Sequence, residues 1–113
     1  MSLPSEKIGD ILIVSPTGQV NSSNAAGIEA DLLAHLEKGE RRIVVDFSRL
    51  EYISSAGLRV LLVLAKKLKQ EAGVLVLCGL RPHVEEVFEI SGFLAILSSV
   101  KTREEALAQL GAD

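Results

Sequence analysis

Three short aliphatic runs constrain this chain more than any other feature: ILIV at 11–14, IVV at 43–45 leading into Asp46-Phe47, and VLVLC at 74–78. Runs of four or five residues, rich in β-branched side chains, have the length of strands rather than helices. Successive side chains of a strand point to opposite faces, so a strand that is apolar throughout must be covered on both. The runs therefore predict a parallel or mixed sheet with helices packed against it.

The segments between the runs supply those helices. Ala25, Ile28, Leu32 and Leu36 recur at helical spacing, and Gly39 stops the pattern. A polar stretch, Asn21 to Asn24, precedes them, and any of its four residues could be the cap. A second helix begins at about Ala56. Leu58, Leu61, Leu62, Ala65 and Leu68 form its expected core stripe, Lys66, Lys67, Lys69 and Gln70 its wet side, and Gly73 its end. Pro82 suits the first position of a third helix. Glu85 and Glu86 complement that helix's positive end, Val84, Val87 and Phe88 face inward, and Gly92 stops it. TREEALAQL is a last helix with a Thr102–Glu105 capping box.

EKIGDILIVSPTGQV adds two strands around a Gly9-Asp10 turn, the second made irregular by Pro16 and Gly18, and AILSSV at 95–100 is a short final strand. The order is β-β-α-β-α-β-α-β-α. It predicts a single α/β domain over residues 1–113, a mixed central sheet flanked by about four helices. Residues 1–3 read as a cloning remnant.

Composition narrows function by exclusion. The chain is 48% hydrophobic but 4% aromatic, without Trp, so the core must be aliphatic. The net charge is −3, and Lys and Arg look scattered, with no basic stripe interleaved with aromatics; no nucleic-acid partner is expected. Cys78 is the one cysteine, which fits a reducing, cytoplasmic setting and leaves no cysteine zinc site. The longest apolar run, Val60 to Ala65, is far too short to span a membrane. MSLPSEK has neither a basic region nor an apolar stretch, so no signal peptide is expected.

Catalytic groups do not converge. His35 lies beside helical leucines and His83 in the first turn of the third helix. No H-E-x-x-H, G-x-S-x-G or Walker loop occurs, so no metal and no cofactor is expected. What stands out is Ser54-Ser55-Ala56-Gly57 at the head of an apolar helix. The first N–H groups of a helix lack internal partners, and a serine hydroxyl there serves as a cap. The same end tolerates a phosphate, which carries roughly −1.5 to −2 charge at neutral pH. Both readings use the same residues. Val60, Val63 and Leu64, apolar but partly off the expected core stripe, would form a docking patch beside the serines if exposed.

The stretch VVDFSRLEYISSAGLRVLL resembles the signature of STAS domains, and within them bacterial anti-sigma-factor antagonists. Asp46, Ser48, Leu50, Tyr52, Ile53, Ser55, Gly57 and Leu58 match it position by position, and GQVNSSNA and VFEISGFLAIL resemble flanking parts of the family. Two positions depart: Ser54 stands where the family often has an acid, and Ala56 where it has a second hydroxyl. The resemblance implies a non-enzymatic antagonist that binds an anti-sigma factor with serine-kinase activity, is phosphorylated on Ser55 (alternatively Ser54), and is reset by a serine phosphatase. It implies that Asp46, Ser48, Ser54, Gly57 and Leu58 shape the loop or meet the partner. A monomer or weak dimer is expected, with no membrane partner. Competing readings are a STAS module of a lipid-transport or stress-signalling complex without phosphoryl switching, a nucleotide-binding module using Asn21 and Ser55, and an enzyme with Ser55 as nucleophile, for which no base is evident.

Overall fold

All four side chains of the ILIV run are buried, and they divide between two faces. Leu12 and Val14 join one apolar cluster, Ile11 and Ile13 a second. The other two runs divide in the same way, Ile43 and Val45 against Val44, and Leu77 against Val76 and Cys78. A computed structural model, describing residues 3–95 and 97–111, shows how.

The elements are β1 (Ser5–Ile8), β2 (Ile11–Val14), β3 (Gly18–Val20), α1 (Ala25–Glu37), β4 (Arg42–Asp46), β5 (Leu50–Ile53), α2 (Ser55–Gln70), β6 (Val74–Cys78), α3 (Pro82–Ile90), a 3-10 turn at Phe93–Ala95, β7 (Ser98–Val100) and α4 (Arg103–Gln109). Five strands form one mixed sheet in the order β1-β2-β4-β6-β7. β1 is antiparallel to β2, and the other neighbours are parallel. The larger core lies between the sheet and α1, α2 and α3, where Phe47 and Phe88 pack at 5.8 Å between ring centroids. α4 covers the opposite face with Ala106 and with Leu110 just past its end.

The α/β architecture agrees with the sequence-based expectation, with two differences. Two further strands, β3 and β5, pair in parallel as a separate sheet, with a register shift between Gly18 and Gln19. The sequence pattern predicts no strand over residues 50–53. Secondly, the final strand is shorter than 95–100: Ala95 ends the 3-10 turn, Ile96 lies outside the described residues, and pairing begins at Ser98. Leu3 is tied to the domain. Its N–H donates to Asp31 Oδ2 at 3.0 Å and its side chain packs on the core; Met1 and Ser2 lie outside the described residues.

The inward arc of α2 also differs. Val60 and Leu64 are 4% and 1% exposed and belong to the core, whereas Leu62 is half-buried. The docking patch expected from Val60, Val63 and Leu64 therefore does not exist; only Val63 keeps a half-exposed side chain. The reason is packing on two sides. α2 lies against both the sheet and α1, so it buries a wider arc than a helix resting on a sheet alone.

Candidate functional site

β4 ends at Asp46, and the chain must turn there because Phe47 is drawn into the core. The Phe47 N–H donates to Cys78 O at 2.8 Å, and Leu50 N–H to Phe47 O at 2.9 Å, closing a tight turn at Ser48-Arg49. Asp46 Oδ1 accepts from the Ser48 N–H at 2.9 Å, the short local bond that aspartate makes at strand ends. Its Oδ2 accepts from Arg103 Nη2 at 3.1 Å and Nε at 3.3 Å, and Arg103 Nη1 also binds Glu6. Burial pushes the Asp46 carboxyl up, but the Ser48 N–H and hydroxyl and the Arg103 guanidinium outweigh it, and the group titrates below the ordinary 3.8.

α3 holds the same loop from its other side. Arg81 Nε and Nη2 donate to Ser48 O at 3.3 and 3.2 Å, and His83 Nε2 binds Glu51 O. The main-chain carbonyls of Ser48 in the turn and Glu51 in β5 are thus met by the N-cap residue and the first turn of one helix. β5 then runs parallel to β3, with Ile53 opposite Val20, and delivers the chain to α2.

At the head of α2 the two serines do different things. Ser54 is the N-cap, with extended backbone at φ −92° and ψ 175°. Its N–H donates to Val20 O at 2.8 Å, and its Oγ accepts from the Gly57 N–H at 3.4 Å. Ser55 is the first helical residue and is exposed. Among the described residues none hydrogen-bonds to its hydroxyl. Gly57 is buried where α2 meets the two small strands. A Cβ there would lie 2.7 Å from both Val20 Cγ1 and Ile53 Cγ1, so only glycine lets the helix start this close. Leu58 is buried one residue further on.

Asp46, Ser48, Ser54, Ser55, Gly57 and Leu58 thus form one continuous unit: a strand end, a pinned turn, a short strand and a helix start. Arg81, His83 and Arg103 complete it and were missed as partners of the loop. They lie 33, 32 and 57 residues from the groups they bind, and no short motif signals such pairings. His35 is half-buried on α1, away from this unit. Among the described residues no group of three His, Cys, Asp or Glu is placed to hold a metal ion. Cys78 is fully buried; burial first, and then Asp46, push its thiol up to about 12. No described helix is long and apolar enough to cross a membrane.

Residues 2–106 match the STAS domain profile. The chain belongs to the STAS family. It is 57% identical over 108 residues to the Bordetella bronchiseptica protein named "Putative anti-sigma factor antagonist BtrV", covering 96% of this chain and 93% of that one. Its STAS fold superposes on the crystal structure of TM1081 from Thermotoga maritima with a TM-score of 0.91 at 25% identity, over 95% of this chain and 92% of the other. It superposes also on the Bacillus cell fate determinant SpoIIAA in its phosphorylated form, with a TM-score of 0.75 at 22% identity, over 96% and 99% of the two chains. At that identity the last likeness concerns the fold.

Proposed function

We propose that this STAS protein is an anti-sigma factor antagonist, acting in the cytosol by binding an anti-sigma factor that is also a serine kinase, and that phosphate on Ser55 ends the binding. The observation that carries the reading is the division of labour between the two serines. Ser54 spends its hydroxyl on capping, while Ser55 holds an exposed hydroxyl among N–H groups with no helical partner. A phosphate there is favoured by the dipole of a 16-residue helix, and α2 has no acidic residue in its first turn to oppose it. The name of the Bordetella relative supports the antagonist role, and the phosphorylated SpoIIAA structure supports a fold that accommodates such a modification. The chain acts as substrate and binding module with no catalysis of its own, and a serine phosphatase resets it.

In this scheme the pinned loop makes the switch local. Asp46, Arg81, His83 and Gly57 hold the backbone, so phosphate changes the surface and leaves the fold intact. The test is retention of proteins from the source bacterium's cytosol on the immobilised chain, with and without ATP, followed by site-mapped mass spectrometry. A serine kinase retained only without ATP, and phosphate on Ser55 with it, is the expected result. Phosphate on Ser54 alone would overturn the residue assignment, and binding indifferent to ATP would overturn the switch.

A further inference from the structure

Charge is sorted between α2 and α3, although the cations look scattered along the sequence. α2 carries Arg59, Lys66, Lys67 and Lys69 and no carboxylate, whereas α3 carries Glu85, Glu86 and Glu89 and no Lys or Arg. Lys7, Arg41, Arg42 and Arg103 each form an ion pair, but among the described residues none of the four α2 cations does. The helix dipole accounts for Lys67 and Lys69, which lie in the last turn. It does not account for Arg59, which stands toward the positive end, or for Lys66.

At about 100° per residue, Ser55, Arg59 and Lys66 fall within an arc of about 40°, in one line along the helix. All three are exposed. Leu62 and Val63 flank that line halfway along. Both are half-exposed, and neither joins the part-buried side chains that pack on the core. The strip therefore has a hydroxyl at its head, cations on either side of its middle, and an apolar centre.

We propose that this strip of α2 receives an acidic protein surface with an apolar centre. The proposal rests on the reading of Ser55 above and states what chemistry the partner presents. Unpaired cations around half-exposed aliphatics complement carboxylates around an apolar anchor. The strip has no aromatic side chain on which a base could stack. Phosphorylation then acts twice. It sets an anion facing the partner's carboxylates, and it offers Arg59, one turn along, an intramolecular partner that withdraws it from docking.

The experiment compares the wild-type chain with the double variant Arg59→Glu/Lys66→Glu, with Leu62→Ser, and with Lys101→Glu as an exposed control outside α2. The probe is the protein retained by the wild-type chain from ATP-free lysate, purified and titrated at about 50 and about 300 mM NaCl. Parallel titrations use phosphatidylglycerol–phosphatidylethanolamine vesicles and a DNA duplex. Circular dichroism melting confirms that each variant is folded. We expect the double reversal to weaken protein binding by at least about tenfold at low salt and by much less at high salt, with Lys101→Glu within about twofold of wild type. Leu62→Ser should weaken it similarly at both salts.

Retention of no protein at low salt overturns the proposal. If ATP releases the wild-type chain but the double variant binds as wild type does, the strip is overturned and the Ser55 switch stands. If the double variant loses binding while the wild type ignores ATP, the strip stands and the switch is overturned. Vesicle or DNA binding that the double variant loses, with protein binding unchanged, overturns the acidic protein as occupant.

Discussion

α1 and α2 begin alike and behave differently. Each follows a strand of the small sheet, β3 or β5, each has two serines at or just before its start, and each has glycine as its third residue, Gly27 or Gly57. At α1 Asn21, Ser23 and Asn24 are tied up locally, and Ser22, two residues before the N-cap, is exposed. Asn24 Oδ1 accepts from the Asn21 N–H at 2.8 Å, Asn24 Nδ2 donates to Gln19 O at 2.8 Å, and Ser23 Oγ donates to Asn21 Oδ1 at 2.6 Å. Gly27 faces open space. At α2 the polarity is sparser and the backbone tighter: one long cap bond from Gly57 to Ser54, and a glycine pressed onto Val20 and Ile53. A hydroxyl near a helix start is therefore no mark of a site. An uncommitted hydroxyl on a backbone that cannot shift is a better one.

The sharpest way to separate the two helix starts is chemical. Incubation with the retained kinase and ATP should phosphorylate wild-type protein and Ser22→Ala equally, and Ser55→Ala not at all, as read by intact-mass spectrometry. Ser55→Asp should reproduce release only in part, because a carboxylate has less charge and fewer acceptors than phosphate.

The glycines give the next largest contrast. Gly57→Ala should destabilise by about 2–3 kcal/mol, because the methyl meets two buried side chains. Gly27→Ala, in open helix, should stabilise by about 0.5–1 kcal/mol. Urea denaturation of both variants checks the pair, and equal effects would dissolve the distinction.

Asp46 tests the support beneath α2. Asp46→Asn should cost about 1–2 kcal/mol, since it weakens a part-buried ion pair and a turn bond. The acid dependence has a definite sign. A carboxyl held below its unfolded value contributes fully above about pH 4 and loses its contribution as pH falls through the folded value. Wild-type stability should therefore fall more steeply than that of Asp46→Asn below pH 4 in melts at stepped pH.

Smallest are the caps. Asn24→Ala should cost about 1 kcal/mol, because Asn24 caps no N–H of α1 but makes two bonds to the turn before it, and Ser54→Ala less, because its cap bond is 3.4 Å long. Urea midpoints of the two variants check the order.

The sheet and helices were legible because ILIV, IVV and VLVLC are apolar at every position and the helical leucines recur at fixed spacing. β5 was not. Leu50-Glu51-Tyr52-Ile53 is apolar only in part, and its pairing with β3 joins segments more than 30 residues apart. The arc of α2 was misjudged for a related reason. Its sequence is apolar on more than one side, and only the presence of α1 decides that Val60 and Leu64 go inward while Leu62 stays at the rim. The serines and Asp46 stand in a contiguous motif and were found. Arg103 and Arg81 reach that motif from distant segments, where nothing local distinguishes them from any surface arginine.

The bond from Ser54 N–H to Val20 O has a consequence for solvent deuterium. That amide belongs to the seam between β3 and α2, beside a valine that is 3% exposed, so its proton is released only when the seam opens. The Ser55 and Ala56 amides belong to the first turn, where no carbonyl of the helix reaches back to them. Exchange should therefore step from slow to fast across one peptide bond, and a phosphate arriving on Ser55 should slow the fast side of that step while leaving the slow side as it was.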